Sequence, residues 1–186
     1  APEEVIFRQK EYDVLLLAVC SRQTAEGIRS ALLADGMEGI LACYLCAKKE
    51  GRTESGWLAF CIRYGDWLVR NQNADGSFYR AYDEKGEPVH KGKFNTTNVI
   101  RFLVNMYWAT DKEQYKEAAC KAGRFSYDNI YLPMQYVGGT ADNDNTIDKE
   151  AGMIAVYAFM ALYDLDGHKR WLQAAKGAAD FTETWT

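Results

Sequence analysis

Apolar residues recur along most of this chain at the three-and-four spacing of a single helix face. Glu11 to Ser21 is a short run of this kind, with Val14, Leu15, Leu16, Leu17 and Val19. Thr24 can cap a second segment in which Ile28, Leu32 and Leu33 keep the period. Gly36 and Gly39 either break that helix or loosen it before Ile40 to Lys48 continues. Thr53 or Ser55 opens a helix to about Gln72, striped by Trp57, Cys61, Tyr64, Trp67 and Leu68. Asn95 or Thr96 starts the next, through Val99, Phe102, Leu103, Met106 and Tyr107. Asp111 is expected to cap another, through Tyr115, Ala118, Ala119, Ala122 and Phe125. An apolar helix from Ala151 to Leu165, a turn at Gly167 and a last helix from Lys169 complete an all-α pattern.

Two polar stretches interrupt it. Asn73 to Phe94 is long for a connection and rich in aromatics, with turn signals at Asp75-Gly76 and Lys85-Gly86. Tyr79 to Tyr82 is expected to form one short strand of a β-hairpin there. Asp128 to Asn145 is read as a second long loop. It leads into Tyr136 to Gly152, where a Gly-Gly turn meets Asp142, Asp144, Asp148 and Glu150 at the mouth of the apolar helix. Unpaired N–H groups at a helix start favour carboxylates, and Asp148 or Glu150 is expected to cap. Four acids together with Asn143, Asn145 and Thr146 exceed what capping needs, so a polar site on a loop is expected.

Composition narrows the classes. A chain of 186 residues that is 48% hydrophobic and 13% aromatic can bury a core, and fits one domain over 1–186. A net charge of −4 and a pI near 5.3 argue against a nucleic-acid backbone as partner. No apolar run reaches the roughly 18 to 20 residues of a membrane span. Ala1 is not an initiator methionine, so a trimmed or processed end is expected: secreted or periplasmic if processed, cytoplasmic otherwise. Five cysteines cannot all pair within the chain. Cys43-Tyr-Leu-Cys46 has redox or zinc spacing, but without a second such pair both thiols are expected to be buried helix residues.

A repeat appears when the second half is laid on itself at a shift of 56 residues. Tyr115, Ala118, Ala119, Ala122 and Phe125 then fall on Trp171, Ala174, Ala175, Ala178 and Phe181, and Leu103 and Tyr107 fall on Phe159 and Tyr163. A weaker copy carries Trp57, Cys61 and Trp67. Each unit is a helical hairpin, over about 24–72, 95–127 and 145–186. Both long loops follow a second helix and precede a first one, so they are expected at the same end of the molecule.

The run W-L-V-R-N-Q-N-A-D-G-S-F (Trp67 to Phe78), with a hairpin continuing A-L-Y-D-L-D-G-H-K-R-W-L-Q-A-A-K-G-A-A-D-F, resembles the α/α toroids. More specifically it resembles the six-hairpin glycosidase-like superfamily of carbohydrate-active enzymes. The resemblance covers roughly Ser55 to Thr186. It implies inner and outer rings of helices, an active site at the N-terminal ends of the inner helices, and a carbohydrate substrate. Three hairpins stand where a closed (α/α)6 barrel has six. The chain is therefore expected to be part of a toroid, with remaining hairpins or a second subunit covering the inner helices.

Glycosidic hydrolysis usually needs two carboxyl groups across the bond. Asp142, Asp144 and Asp148 are the expected catalytic set. Asp144 and Asp148, four apart, share a face if the helix begins early, whereas Asp148 and Glu150 diverge. Asp75, Tyr79, Tyr82, His90, Tyr136 and Asn143 are the expected substrate-binding residues: a carboxylate from the opposite loop, rings to stack on sugars, an amide, and a side chain that titrates near neutrality. Asp75-Gly76 also reads as an ordinary turn pair, and the three tyrosines equally fit packing the loops down. His90 is otherwise a solvated loop residue, and His168 is read as structural. No cofactor is expected. D-N-D-N-T-I-D begins like an EF-hand, but Ile147 replaces the turn glycine and Met153 the bidentate Glu, leaving room only for an irregular calcium site over 142–148. Two further functions fit less closely. Gln72 to Phe78 resembles a terpenoid-cyclase repeat motif, and a noncatalytic glycan- or protein-binding module would also use such loops.

Overall fold

Among the described residues the helical periods fold into six α-helices arranged as three hairpins. A computed structural model of the chain describes residues 25–52, 55–83, 86–139 and 145–185, with 25–35 by backbone alone. Helices α1 (Ala25–Lys49) and α2 (Ser55–Asn71) form the first hairpin, α3 (Ile100–Thr110) and α4 (Glu113–Ser126) the second, α5 (Lys149–Asp166) and α6 (Lys169–Glu183) the third. The expected helix over Glu11 to Ser21 lies outside the described residues. Strands β1 (Ala81–Tyr82) and β2 (Pro88–His90) pair antiparallel within the 73–94 loop, one residue-pair shorter than the expected Tyr79 to Tyr82 strand.

Local chemistry moves several boundaries. Gly36 and Gly39 do not break α1, because Met37 and Leu41 between and beside them are fully buried and hold the helix by packing. Asp111 caps the end of α3, not the start of α4: it adopts the left-handed conformation at φ 56°, and its N–H bonds the Tyr107 carbonyl. Asp tolerates that conformation better than most residues, which suits a two-residue connection. The α3 segment is preceded by a 3₁₀ turn, Phe94–Val99, so the expected start at Asn95 or Thr96 is a tighter coil than an α-helix. The loop expected from Asp128 begins later, since a π-turn, Tyr127–Tyr131, prolongs α4.

The first helices of the hairpins, α1, α3 and α5, lie side by side with α3 in the middle. Second helices pack on their outer flank through a contact that repeats. An added Cβ at Gly65 of α2 would stand 2.9 Å from the Tyr115 ring of α4, and one at Gly123 of α4 would stand 2.5 Å from Leu162 of α5 and 3.3 Å from the Trp171 ring of α6. Each glycine thus opens a notch for side chains of the next hairpin, Tyr115 at Gly65 and Leu162 with Trp171 at Gly123. Tyr115 and Trp171 occupy equivalent places in the 56-residue repeat, and both are fully buried. Their polar atoms are satisfied by neighbouring acids: Tyr115 donates to Asp66 at 2.7 Å and the Trp171 indole to Asp166 at 3.0 Å. Ala118, Ala119 and Ala122, with Ala174, Ala175 and Ala178, are buried around these rings and let the helices approach closely.

Two expectations about cysteine part company. Cys61 is buried, and burial pushes its thiol up to about 12, so it is an inert core residue. Cys43 and Cys46 are free and exposed on α1, contrary to the expected burial, because the face that packs is set by Met37, Leu41 and Ala47. Trp171 also stacks on Phe159 at 6.1 Å between ring centres, which ties α6 to α5. Trp171→Ala should cost about 3–5 kcal/mol in urea unfolding. Leu172→Ala, at its exposed neighbour, should stay within about 0.5 kcal/mol.

Candidate functional site

The 73–94 loop is seated before it is shaped. Gln72 donates from its amide to the carbonyls of Gly76 and Ala118, each at 2.9 Å, which ties the turn to α4. Gly76 has φ 88° and lies against the Lys121 backbone, so no side chain fits there. Asp75 closes the turn by accepting from the Ser77 N–H at 3.0 Å and hydroxyl at 2.6 Å, and it pairs with Lys93 at 2.6 Å. Partial burial pushes its carboxyl up, but the bonds from Lys93 and Ser77 outweigh that and hold it down to about 2. The expected substrate ligand Asp75 is thus spent on the loop's own geometry.

The expected sugar platforms divide. Tyr82 is buried, set edge-on to Trp67 at 4.8 Å, and its hydroxyl accepts from the Tyr79 N–H at 3.1 Å. Tyr136 is 1% exposed and packed on Phe181 at 4.5 Å, which rules it out as a surface for a bound ring. Burial also pushes the Tyr136 phenol up to about 12, so it stays neutral. Tyr79 alone is half-buried, with the Lys93 ammonium 5.8 Å from its ring centre. His90 sits on β2, and its Nδ1 accepts from the Gly92 N–H at 3.1 Å.

One buried side chain joins this loop to the second. Arg80 is 4% exposed and donates to Asn95 Oδ1 at 2.7 Å and to the Gly138 carbonyl at 3.0 Å. The Asn95 amide donates to the same carbonyl at 2.7 Å. Both long loops and the turn that starts α3 therefore meet at one point, at the same end of the molecule. Val137 and Ile147 form an isolated antiparallel bridge, and the Gly138 N–H donates to the Thr146 carbonyl at 3.0 Å. Asp142, Asn143 and Asp144 lie outside the described residues, in the stretch that this bridge closes.

Asp148 is buried at the start of α5. Its two oxygens accept from the Ala151 N–H at 2.7 Å and the Gly139 N–H at 2.8 Å. It is the N-cap of α5 and a clasp for the Gly-Gly turn, which crowds so close that no side chain fits at Gly139. Of the two acids expected to cap, it is Asp148 that does so, while Glu150 is exposed. With both oxygens so engaged, Asp148 has the geometry of a positioning group.

Beside this junction α1, α3 and α5 enclose a cavity of about 220 Å³, lined by Glu38, Thr97, Asn98, Arg101, Ile154, Tyr157 and Ala158. Thr97 and Asn98 lie in the 3₁₀ turn before α3, Arg101 in the first turn of α3, and Ile154 to Ala158 in the second and third turns of α5. Arg101 pairs with Glu38 at 2.7 Å and lies 5.2 Å from the Tyr157 ring centre. Sequence periodicity passed over these residues because each lies on a different helix. The weak signals were Arg101 and Tyr157, a charge and a phenol within otherwise apolar helices. Among the described residues no group of three or more His, Cys, Asp or Glu is placed to hold a metal, and no helix is long and apolar enough to cross a membrane.

Asp75 offers a direct check on the loop. Its folded-state value of about 2 lies below the ordinary 3.8, so its stabilising contribution is complete above about pH 4 and is lost as pH falls through 2. Carboxyl-detected NMR titration should give a midpoint near 2 for Asp75. In Lys93→Met the midpoint should move back toward the ordinary carboxylate range, and an unmoved midpoint would remove Lys93 as a cause.

No protein-family model, curated protein or solved structure matches the chain.

Proposed function

We propose that this chain is a carbohydrate-processing hydrolase built as part of an α/α toroid of the six-hairpin glycosidase type. The observation that carries this is the convergence at Arg80. It brings the aromatic 73–94 loop, the Gly-Gly turn leading to Asp142 and Asp144, and the starts of α3 and α5 to one end of the hairpins. Side-by-side first helices flanked by second helices are the arrangement a toroid repeats. Trp108 and Met153, exposed on α3 and α5, are positions that facing hairpins or a second subunit would cover.

In this reading Asp142 and Asp144 supply the general acid and the base or nucleophile, and Asp148 holds the Gly-Gly turn that precedes them in the sequence. One carboxyl protonates the leaving oxygen as the glycosidic bond breaks, and the other activates water or attacks the anomeric carbon. Tyr79 is the loop ring left for a sugar to contact. A terpenoid cyclase would need a deep apolar pocket at this end, whereas Glu38, Thr97, Asn98 and Arg101 line the cavity found here.

The test is release of reducing ends from a panel of α- and β-linked oligosaccharides. The protein should cleave at least one of them. Asp142→Asn or Asp144→Asn should then lower the rate by roughly 10²- to 10⁴-fold with no change in melting temperature. Failure to cleave any member, or full activity in both variants, would overturn the assignment.

A further inference from the structure

The cavity between α1, α3 and α5 carries more chemistry than a gap between helices needs. Glu38 and Arg101 are an ion pair, so the lining has both acceptors and donors but no net charge. That pairing disfavours a phosphate or a free cation, each of which would leave one partner uncompensated. Asn98 is 6% exposed, and its side-chain nitrogen has no hydrogen-bond partner among the described residues. A buried donor left unmade costs free energy, and such groups call for a missing partner. Tyr157 is 53% exposed at the rim, and Ile154 and Ala158 form an apolar patch beside it. An aromatic face, an apolar wall and a mixed set of donors and acceptors complement a polyhydroxylated ring, whose C–H faces are apolar and whose edges are hydroxyls. At about 220 Å³ the cavity lies below the roughly 300–1,000 Å³ of drug-sized ligand sites, which suits one ring and not a chain.

We propose that this cavity is a sugar-ring subsite, in which Glu38, Arg101 and Asn98 bond the hydroxyls of one pyranose and Tyr157 packs on its apolar face. It rests on the carbohydrate reading above and extends it, because it assigns binding to helix residues outside the acidic segment of the sequence. Thr97 is a further polar residue of the lining.

The probes are methyl α-D-mannopyranoside, methyl β-D-glucopyranoside and methyl β-D-galactopyranoside, followed by amide and side-chain NMR shifts of the protein. At least one should shift the Asn98 side-chain amide and the Tyr157 ring in a saturable way. Tyr157→Ala and Glu38→Gln should each weaken that probe by about tenfold or more. Tyr157 is exposed enough that its truncation should leave the melting temperature unchanged, which guards against loss of fold. If no probe shifts these residues, or if the Tyr157 variant binds as tightly as the parent, the subsite is wrong. Should another copy of the chain fill the cavity, dilution would shift the same resonances without sugar, and that too would overturn it. Sugar binding here without cleavage of any oligosaccharide would sink the hydrolase assignment and leave the subsite standing. Cleavage unaffected by either variant would do the reverse.

Discussion

The hydrogen bonds of the Arg80 guanidinium are the interaction on which the joined loops of this molecule depend. A charge so deeply buried is costly unless its donors are met, and here they meet a side-chain amide and a backbone carbonyl from two different segments. Loops alone would carry little packing to fix their relative position. With Asn95 bonded to the same Gly138 carbonyl, the three segments form a closed triangle that loses satisfaction at every corner if one moves. Around it the buried polar residues Ser77, Thr96, Thr97 and Asn98 replace what would elsewhere be hydrophobic core. That is a poor way to gain stability and a good way to hold one geometry.

The rest of the architecture exists to bring those segments together. The glycine notches at Gly65 and Gly123 set the spacing between hairpins, and the hairpin spacing places the starts of α3 and α5 beside each other. Asp148 then converts the start of α5 into an anchor: one oxygen holds the helix and the other holds the Gly-Gly turn. Asp75 does the same for the first loop through Ser77 and Lys93. Two acids that resemble catalytic groups thus hold the loops in place.

The helices were legible in the sequence because their signal is local. The stripe of Tyr115, Ala118, Ala119 and Ala122 announces both the helix and its buried face, and its echo at Trp171 to Ala178 announces the hairpin repeat. The shared end of the two loops followed from connectivity alone. Side-chain roles at the ends of helices were not legible in the same way. Asp111 looked like a helix start and proved to be a helix stop, because backbone conformation rather than residue type decides between them. Tyr136 fitted a sugar platform and a loop anchor equally, and its packing under Phe181, a contact between residues 45 positions apart, decides for the anchor. The cavity of Glu38, Arg101 and Tyr157 drew on three hairpins at once, and no single window of sequence contains it.

If Arg80 couples the loops, removing its charge should release both together. Hydrogen exchange of Arg80→Met, read amide by amide, is the most direct measurement. Protection should fall at Phe78 in the first loop and at Gly138 and Gly139 in the second, while amides in the middle of α4 and α6 keep theirs. Loss of protection confined to one loop, or spread evenly over all the described helices, would contradict the account: in either case the two loops would not share the Arg80 anchor.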